Sequence, residues 1–207
     1  MHIRLSLIAR TIALVVVSSM ISAAIALAAA PTIADMKDFN STVDNDKNMH
    51  LEATAEMNAP LGKVFDAISH PELTSKSDPA VQKVVVVSQD SSGKVVEFFG
   101  GQQLPIPNAP KSLKIKVMPD QASNTIKVES YESTVLKFQN EYKLSPSADG
   151  KGTVVKYSSV SNDISKQIGM DIPADMRKQI GLETFMNQLH TVGVYIDDSA
   201  VASAKHK

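Results

Sequence analysis

The sequence predicts an α+β fold in which a curved antiparallel sheet of about seven strands wraps on one long C-terminal helix. Three observations carry that expectation. Seven segments between His50 and Ser161 alternate apolar and polar residues or run rich in valine, the pattern of strands. One short amphipathic helix interrupts them early, and the chain closes on a long segment with a helical apolar stripe. A sheet closed by a single helix leaves an apolar space between the two, which points to a held ligand more than to a surface site.

The first strand places Leu51, Ala53, Ala55 and Met57 on one face and His50, Glu52, Thr54 and Glu56 on the other. Asn58-Ala59-Pro60 then opens a helix from about Leu61 to Ser69 carrying Val64, Phe65 and Ile68, and Pro71 stops it. Ala80 to Gln89 and Gly93 to Gly100 are valine-rich strands joined by Asp90-Ser91-Ser92-Gly93, residues that favour a hairpin turn. Pro105, Pro107 and Pro110 take the next stretch out of the sheet, because proline cannot donate to a ladder. Leu104 and Ile106 in that loop are candidates for a lid over the space.

Ser112 to Met118, Asn124 to Tyr131 and Thr134 to Leu144 alternate clearly, and Ala148 to Gly152 turns the chain into a seventh strand, Thr153 to Ser161. Pro173 opens the final helix, expected to run to about Ile196, roughly 36 Å at ~1.5 Å per residue. Gly181, Leu182, Phe185, Leu189, Val192 and Ile196 fall in one stripe, with Glu183, Asn187 and His190 opposite. Asp197 and Asp198 are unfavourable at a helix C-terminus, which argues for ending the helix there.

At the other end, Met1 to Arg10 carries Arg4 and Arg10 without an acid, Thr11 to Ala26 is almost wholly apolar, and small residues fill Ala23 to Ala30. This reads as a secretory signal peptide over residues 1–28, cut after Ala26-Leu27-Ala28, with an uncleaved anchor as the alternative. Residues 29–48 read as a flexible linker, with at most one helical turn around Met36 and Phe39. Residues 49–198 form the folded domain, and 199–207 a disordered tail. The expected location is periplasmic or secreted.

The chain has 207 residues and no cysteine, which excludes disulfides, thiolate catalysis and cysteine-ligated metal. Its formal net charge is −1, and signal removal makes it two charges more acidic. A mildly acidic surface argues against nucleic acid as a partner and against stable membrane association of the mature protein.

The run from Asn58 to Leu73, Asn-Ala-Pro-Leu-Gly-Lys-Val-Phe-Asp-Ala-Ile-Ser-His-Pro-Glu-Leu, resembles the strand-to-helix opening of the START-like, or SRPBCC, helix-grip superfamily. Tyr142 through Gly152-Thr153 resembles its last hairpin. That superfamily includes polyketide cyclases and dehydrases, birch-pollen-allergen-like (Bet v 1-like) proteins and lipid-transport START domains. The resemblance covers about residues 49–197. It implies a cavity between the sheet and the terminal helix that takes lipids, sterols, polyketides or other small hydrophobic molecules. The export signal sets this chain apart from its many cytosolic relatives and weakens a cyclase role tied to a cytosolic carrier.

Strand parity places Asn140, Tyr142, Tyr157 and Ser159 inward, where they either orient a ligand's polar end or satisfy one another. With Phe138 and the helix residues Leu182, Phe185, Leu189 and Val192, the candidate ligand-binding set is Phe138, Asn140, Tyr142, Tyr157, Leu182, Phe185, Leu189 and Val192. Gly181 and Gly193 each weaken a helix by roughly 1 kcal/mol relative to alanine, which points to space over a ligand, a kink or a tight sheet contact.

His50, His70, His190 and His206 lack the spacing of a metal site. His190 is expected in solvent, and His70 at a helix end in a cap or dipole role. Glu52 and Glu56 share a solvent face. Ser91-Ser92-Gly93-Lys94 has the Ser-x-x-Lys spacing of some acyl-transfer enzymes but lies in a turn. No catalytic residue, metal or cofactor is assigned, and no protein partner is named. The leading expectation is an exported carrier of a small hydrophobic or amphipathic molecule. A polyketide cyclase- or dehydratase-like enzyme using Tyr142, Tyr157 and Asn140, and an interaction module with a packed interior, are the alternatives.

Overall fold

The structure is a computed structural model that describes residues 33–75, 78, 81–100, 112–163 and 173–204. The residues read as a signal peptide, the proline-rich loop with Leu104 and Ile106, and His206 lie outside these residues. Eight strands form one antiparallel sheet: β1 (Ile33–Val43), β2 (Met49–Met57), β3 (Val81–Asp90), β4 (Gly93–Gly100), β5 (Ser112–Asp120), β6 (Thr125–Ser130), β7 (Phe138–Pro146) and β8 (Thr153–Ser161). Their order across the sheet is β1-β2-β8-β7-β6-β5-β4-β3. Helices α1 (Leu61–Ser69) and α2 (Pro71–Thr74) connect β2 to β3, and α3 (Ala174–Ala204) closes the chain.

Among the described residues the strand count is eight, not seven. The additional strand β1 lies in the stretch read as a linker, and pairs with β2 through register partners such as Phe39 with Ala53 and Ser41 with Leu51. Its register shifts between Ile33 and Met36 and again between Met36 and Asp38. Those irregularities break the two-residue alternation by which a strand is recognised. Met36 and Phe39, where a helical turn was expected, pack from the strand onto the core.

In β2 the apolar face (Leu51, Ala53, Ala55, Met57) is buried as the alternation requires, and β8 buries Thr153, Val155, Tyr157 and Ser159. Pro60 caps α1, and His70 ends it, with His70 N–H donating to the Ala67 carbonyl at 3.3 Å and Nδ1 2.8 Å from the Asp66 carbonyl. The cap expected of His70 is therefore present. The Thr153 hydroxyl donates to the buried Ala59 carbonyl at 2.7 Å, tying β8 to the turn before α1.

The β3–β4 hairpin closes as its turn residues suggest: the Asp90 carboxylate accepts from Ser92 N–H at 2.7 Å and Ser92 hydroxyl at 2.6 Å, and Gly93 takes φ 138°. Strand β7 begins at Phe138 rather than Thr134, because the backbone before it bonds to side chains instead of a ladder. Leu136 N–H donates to Ser133 Oγ at 3.2 Å and Lys137 N–H to Asn162 Oδ1 at 2.6 Å.

Helix α3 runs on past Asp197 and Asp198 to Ala204, so residues 199–204 are helical, not a disordered tail. The dipole penalty falls within the last turn. With the helix extended through the alanine-rich Ser199–Ala204, both aspartates sit more than a turn from its end.

Candidate functional site

Between the sheet and α3 lies a cavity of two adjoining lobes that share lining residues. The lobe beside the end of α1 has a volume of about 320 Å³ and is bounded by Ile68, Pro71, Ser75, Phe98, Leu189 and Val192, among others. The lobe beneath the start of α3 has a volume of about 320 Å³ and is bounded by Met49, Leu51, Tyr157, Arg177, Ile180 and Gly181, among others. Leu113, Phe138, Asn140, Thr184 and Gln188 line both lobes.

The helix is fixed to the sheet beside this cavity by an aromatic stack. Tyr142 and Tyr157, register partners on β7 and β8, have ring centroids 4.9 Å apart, and Tyr157 stacks on Phe185 at 4.7 Å with an interplanar angle of 16°. At the N-terminal end the approach is closer. A Cβ at Gly181 would collide with Leu51 Cδ1 and come 3.2 Å from Met49 Cε, so this glycine marks a tight contact between α3 and β2.

Solved structures share this arrangement. Zhui aromatase/cyclase from a Streptomyces species matches with a TM-score of 0.55 at 15% identity, covering 72% of this chain and 94% of its own. Ara h 8.0201 matches at 0.56 and 19% identity, covering 73% and 99%. A Thermus thermophilus protein matches at 0.55 and 12% identity, covering 72% and 98%. The fold is the helix-grip fold. No family model and no curated sequence matches the chain, so the likeness is one of architecture.

Within the helix grip, six of the eight residues singled out from sequence line the cavity: Phe138, Asn140, Tyr142, Tyr157, Leu189 and Val192. Phe185 is fully buried in the stack and is not among the lining residues, and Leu182 is half-buried and also away from them. The apolar stripe of α3 is therefore divided between the packed seam, at Phe185, and the open space, at Gly181, Leu189 and Val192.

The inward polar groups satisfy one another. Tyr142 donates to Gln188 Oε1 at 2.6 Å, and Ser159 donates to Asn140 Oδ1 at 2.8 Å. Burial pushes the Tyr142 hydroxyl well above its ordinary value, with the neighbouring Tyr157 adding to the shift. Burial likewise pushes Tyr157 up to about 12. Both phenols are thus neutral near pH 7, and Tyr142 acts as a hydrogen-bond donor.

Sequence reasoning missed the flank of α3 that faces the cavity. Thr184, Asn187, Gln188 and Thr191 line it at the i, i+3, i+4 and i+7 spacing of one helix face. The signal was there in the residue types: a solvent face on so long a helix normally carries lysine and glutamate, while this one is polar and uncharged. Asn187 was placed on the outer face and lines the cavity instead. His190, expected in solvent, is half-buried, and its Nδ1 has no hydrogen-bond partner. Among the described residues no group of three His, Asp or Glu is arranged to hold a metal ion, and no helix is long and apolar enough to cross a membrane.

Proposed function

We propose that this chain is an exported carrier that holds one small hydrophobic or amphipathic molecule between the sheet and α3. The observation that supports it is the two-lobed cavity, in which the sheet supplies apolar side chains such as Phe98, Leu113, Ile115, Val128 and Phe138. Burial of apolar ligand surface there contributes roughly 25 cal/mol per Å² before ordering costs, so useful affinity needs no reactive group. Open space of this size also argues against the interaction module with a packed interior. Export rests on the basic, apolar and small-residue pattern of residues 1–28, which directs the chain to the periplasm or the medium.

Native mass spectrometry of the protein recovered from its own compartment, followed by analysis of the organic extract, tests the reading. The expected result is a reproducible one-to-one adduct and an N-terminus at Ala29. Apo protein that takes up nothing from a mixture of lipids and polycyclic compounds would overturn the carrier function. An unprocessed N-terminus would overturn cleavage alone.

A second reading, an enzyme of the cyclase or dehydratase kind, draws on the two neutral phenols at the cavity, which can polarise a bound carbonyl. Tyr142 already donates to Gln188, so Tyr157 is the better candidate. A Tyr157→Phe variant that binds normally and loses turnover would favour it. Equal turnover by both proteins would exclude that role for Tyr157.

A further inference from the structure

Where the two lobes adjoin, two side-chain amides keep donors to spare. Asn140 on β7 and Gln188 on α3 each line both lobes, beside the apolar Leu113 and Phe138. In each amide the oxygen is already taken. Ser159, the register partner of Asn140 on β8, donates to Asn140 Oδ1 at 2.8 Å, and Tyr142 donates to Gln188 Oε1 at 2.6 Å. Neither amide nitrogen has a hydrogen-bond partner among the described residues. The buried side-chain atoms sealed off without a partner lie at Ser69, Glu72, Ser75 and His190, so these two nitrogens are open to the cavity.

The two amides are also brought to one place. Burial raises Tyr142, while Asn140 and Gln188 both pull it back down, so both amides sit against the same hydroxyl. Strand parity puts Asn140 on the face of Tyr142, two residues away. On the helix side, Phe185 stacks on Tyr157 and sets the rotation of α3, and Gln188 follows it by three residues on a neighbouring part of the same face. Resting on the carrier reading, we propose that Asn140 Nδ2 and Gln188 Nε2 form a two-donor clamp for a carbonyl oxygen, and that the molecule carried has this carbonyl set between two apolar parts.

The chemistry of the donors selects the group. A carbonyl oxygen has two lone pairs and accepts one N–H from each amide. A hydroxyl brings a proton for which these nitrogens offer no acceptor. A carboxylate brings a full charge that two neutral amides beside Leu113 and Phe138 do not offset. Position follows from the lining, since a molecule that reaches into both lobes has its middle, not its end, at the residues the lobes share. Tyr142 is then a positioning residue, holding the oxygen end of Gln188 so that the nitrogen end is left for the ligand.

Titration of the full chain with three probes of similar size tests the proposal. 4-Methylbenzophenone has its carbonyl between two rings, its isomer 4-acetylbiphenyl has it near one end, and 4-methyldiphenylmethane has a methylene in its place. Burial alone favours the hydrocarbon, which has no oxygen to strip of water. The clamp should reverse that order, with 4-methylbenzophenone binding about tenfold more tightly than either of the others. Gln188→Met removes one donor at similar length and should cut that preference to about threefold or less. Tyr142→Phe/Gln188→Met also removes the hydroxyl that the first change leaves unpaired, and should give the same result if the single variant fails to fold. The carbonyl stretch of the bound ketone should lie at lower frequency in the unaltered protein than in either variant. Hydrocarbon or 4-acetylbiphenyl bound as tightly as 4-methylbenzophenone, or a preference unchanged in a folded variant, overturns the clamp and leaves the carrier reading standing. Failure of all three probes to bind overturns both.

Discussion

Replacing Phe185 with alanine tests whether α3 is held by the aromatic seam. The side chain is fully buried and stacked on Tyr157 at 4.7 Å. Core Phe→Ala changes cost about 3–5 kcal/mol, of which an aromatic pair accounts for about 0.5–1.5 kcal/mol. At about 2–4 °C per kcal/mol for a domain of this size, the midpoint should fall by about 6–20 °C. Calorimetry of the full chain, with urea unfolding followed by circular dichroism, measures the loss. Leu182→Ala, one turn earlier and only half-buried, should lose less than half as much. Because Phe185 lies outside the cavity lining, Phe185→Leu, which keeps most of its volume, should fold and still take up ligand. A loss below about 1.5 kcal/mol in Phe185→Ala, or an equal loss in Leu182→Ala, would refute the seam.

Gly93→Ala should lower stability by at least about 1–3 kcal/mol, since φ is 138° and an added Cβ would collide with the Val117 carbonyl; an unchanged melting midpoint would contradict the hairpin geometry. Lys94 Nζ pairs with Glu72 Oε1 at 2.7 Å with little solvent on either side. Lys94→Met alone should therefore cost about 3–5 kcal/mol, and Lys94→Met/Glu72→Leu should recover most of it in urea melts. The raised values of Tyr142 and Tyr157 predict alkaline instability. Their full contribution is present below pH 10.0; above it the unfolded chain releases protons that the folded chain keeps, at Tyr157 until about 12, so stability falls as pH rises through that window. Phenolate absorbance should show two of the four tyrosines ionising only with unfolding, and independent titration of all four near their ordinary value would exclude it.

The elements legible in the sequence are those whose period is undisturbed. Strand β8 spans Thr153–Ser161 as the alternation from Thr153 to Ser161 requires, and α1 spans Leu61–Ser69 between two prolines. Strand β1 was not legible, because two register shifts between Ile33 and Asp38 scatter its apolar residues. The end of α3 was misplaced by weighing Asp197 and Asp198 against a terminus that the following alanines carry further on.

For the cavity, strand parity identified the inward residues of β7 and β8, since a two-residue period leaves no ambiguity about the face. A helix has more than two faces. The apolar stripe seats the helix at Phe185 and lends Leu189 and Val192 to the cavity, which extends onto the polar flank beside it. Gly181 admitted a kink, a void or a close approach on sequence alone; only Leu51 and Met49 lying over it identify the third.

The one-sided attachment of α3 has an energetic consequence. Phe185 joins the helix to the sheet through Tyr157, while Thr191 and the Nε2 end of Gln188 face open volume. A molecule seated there adds contacts without first displacing packed side chains, so little of its binding free energy is diverted into rearranging the protein. Bound to the folded state alone, it would raise unfolding free energy by about RT ln(1 + [L]/Kd), about 2.7 kcal/mol at a hundredfold excess over Kd. The loaded and empty forms should then share one backbone and differ in melting temperature, with the unfilled interface of α3 supplying the difference.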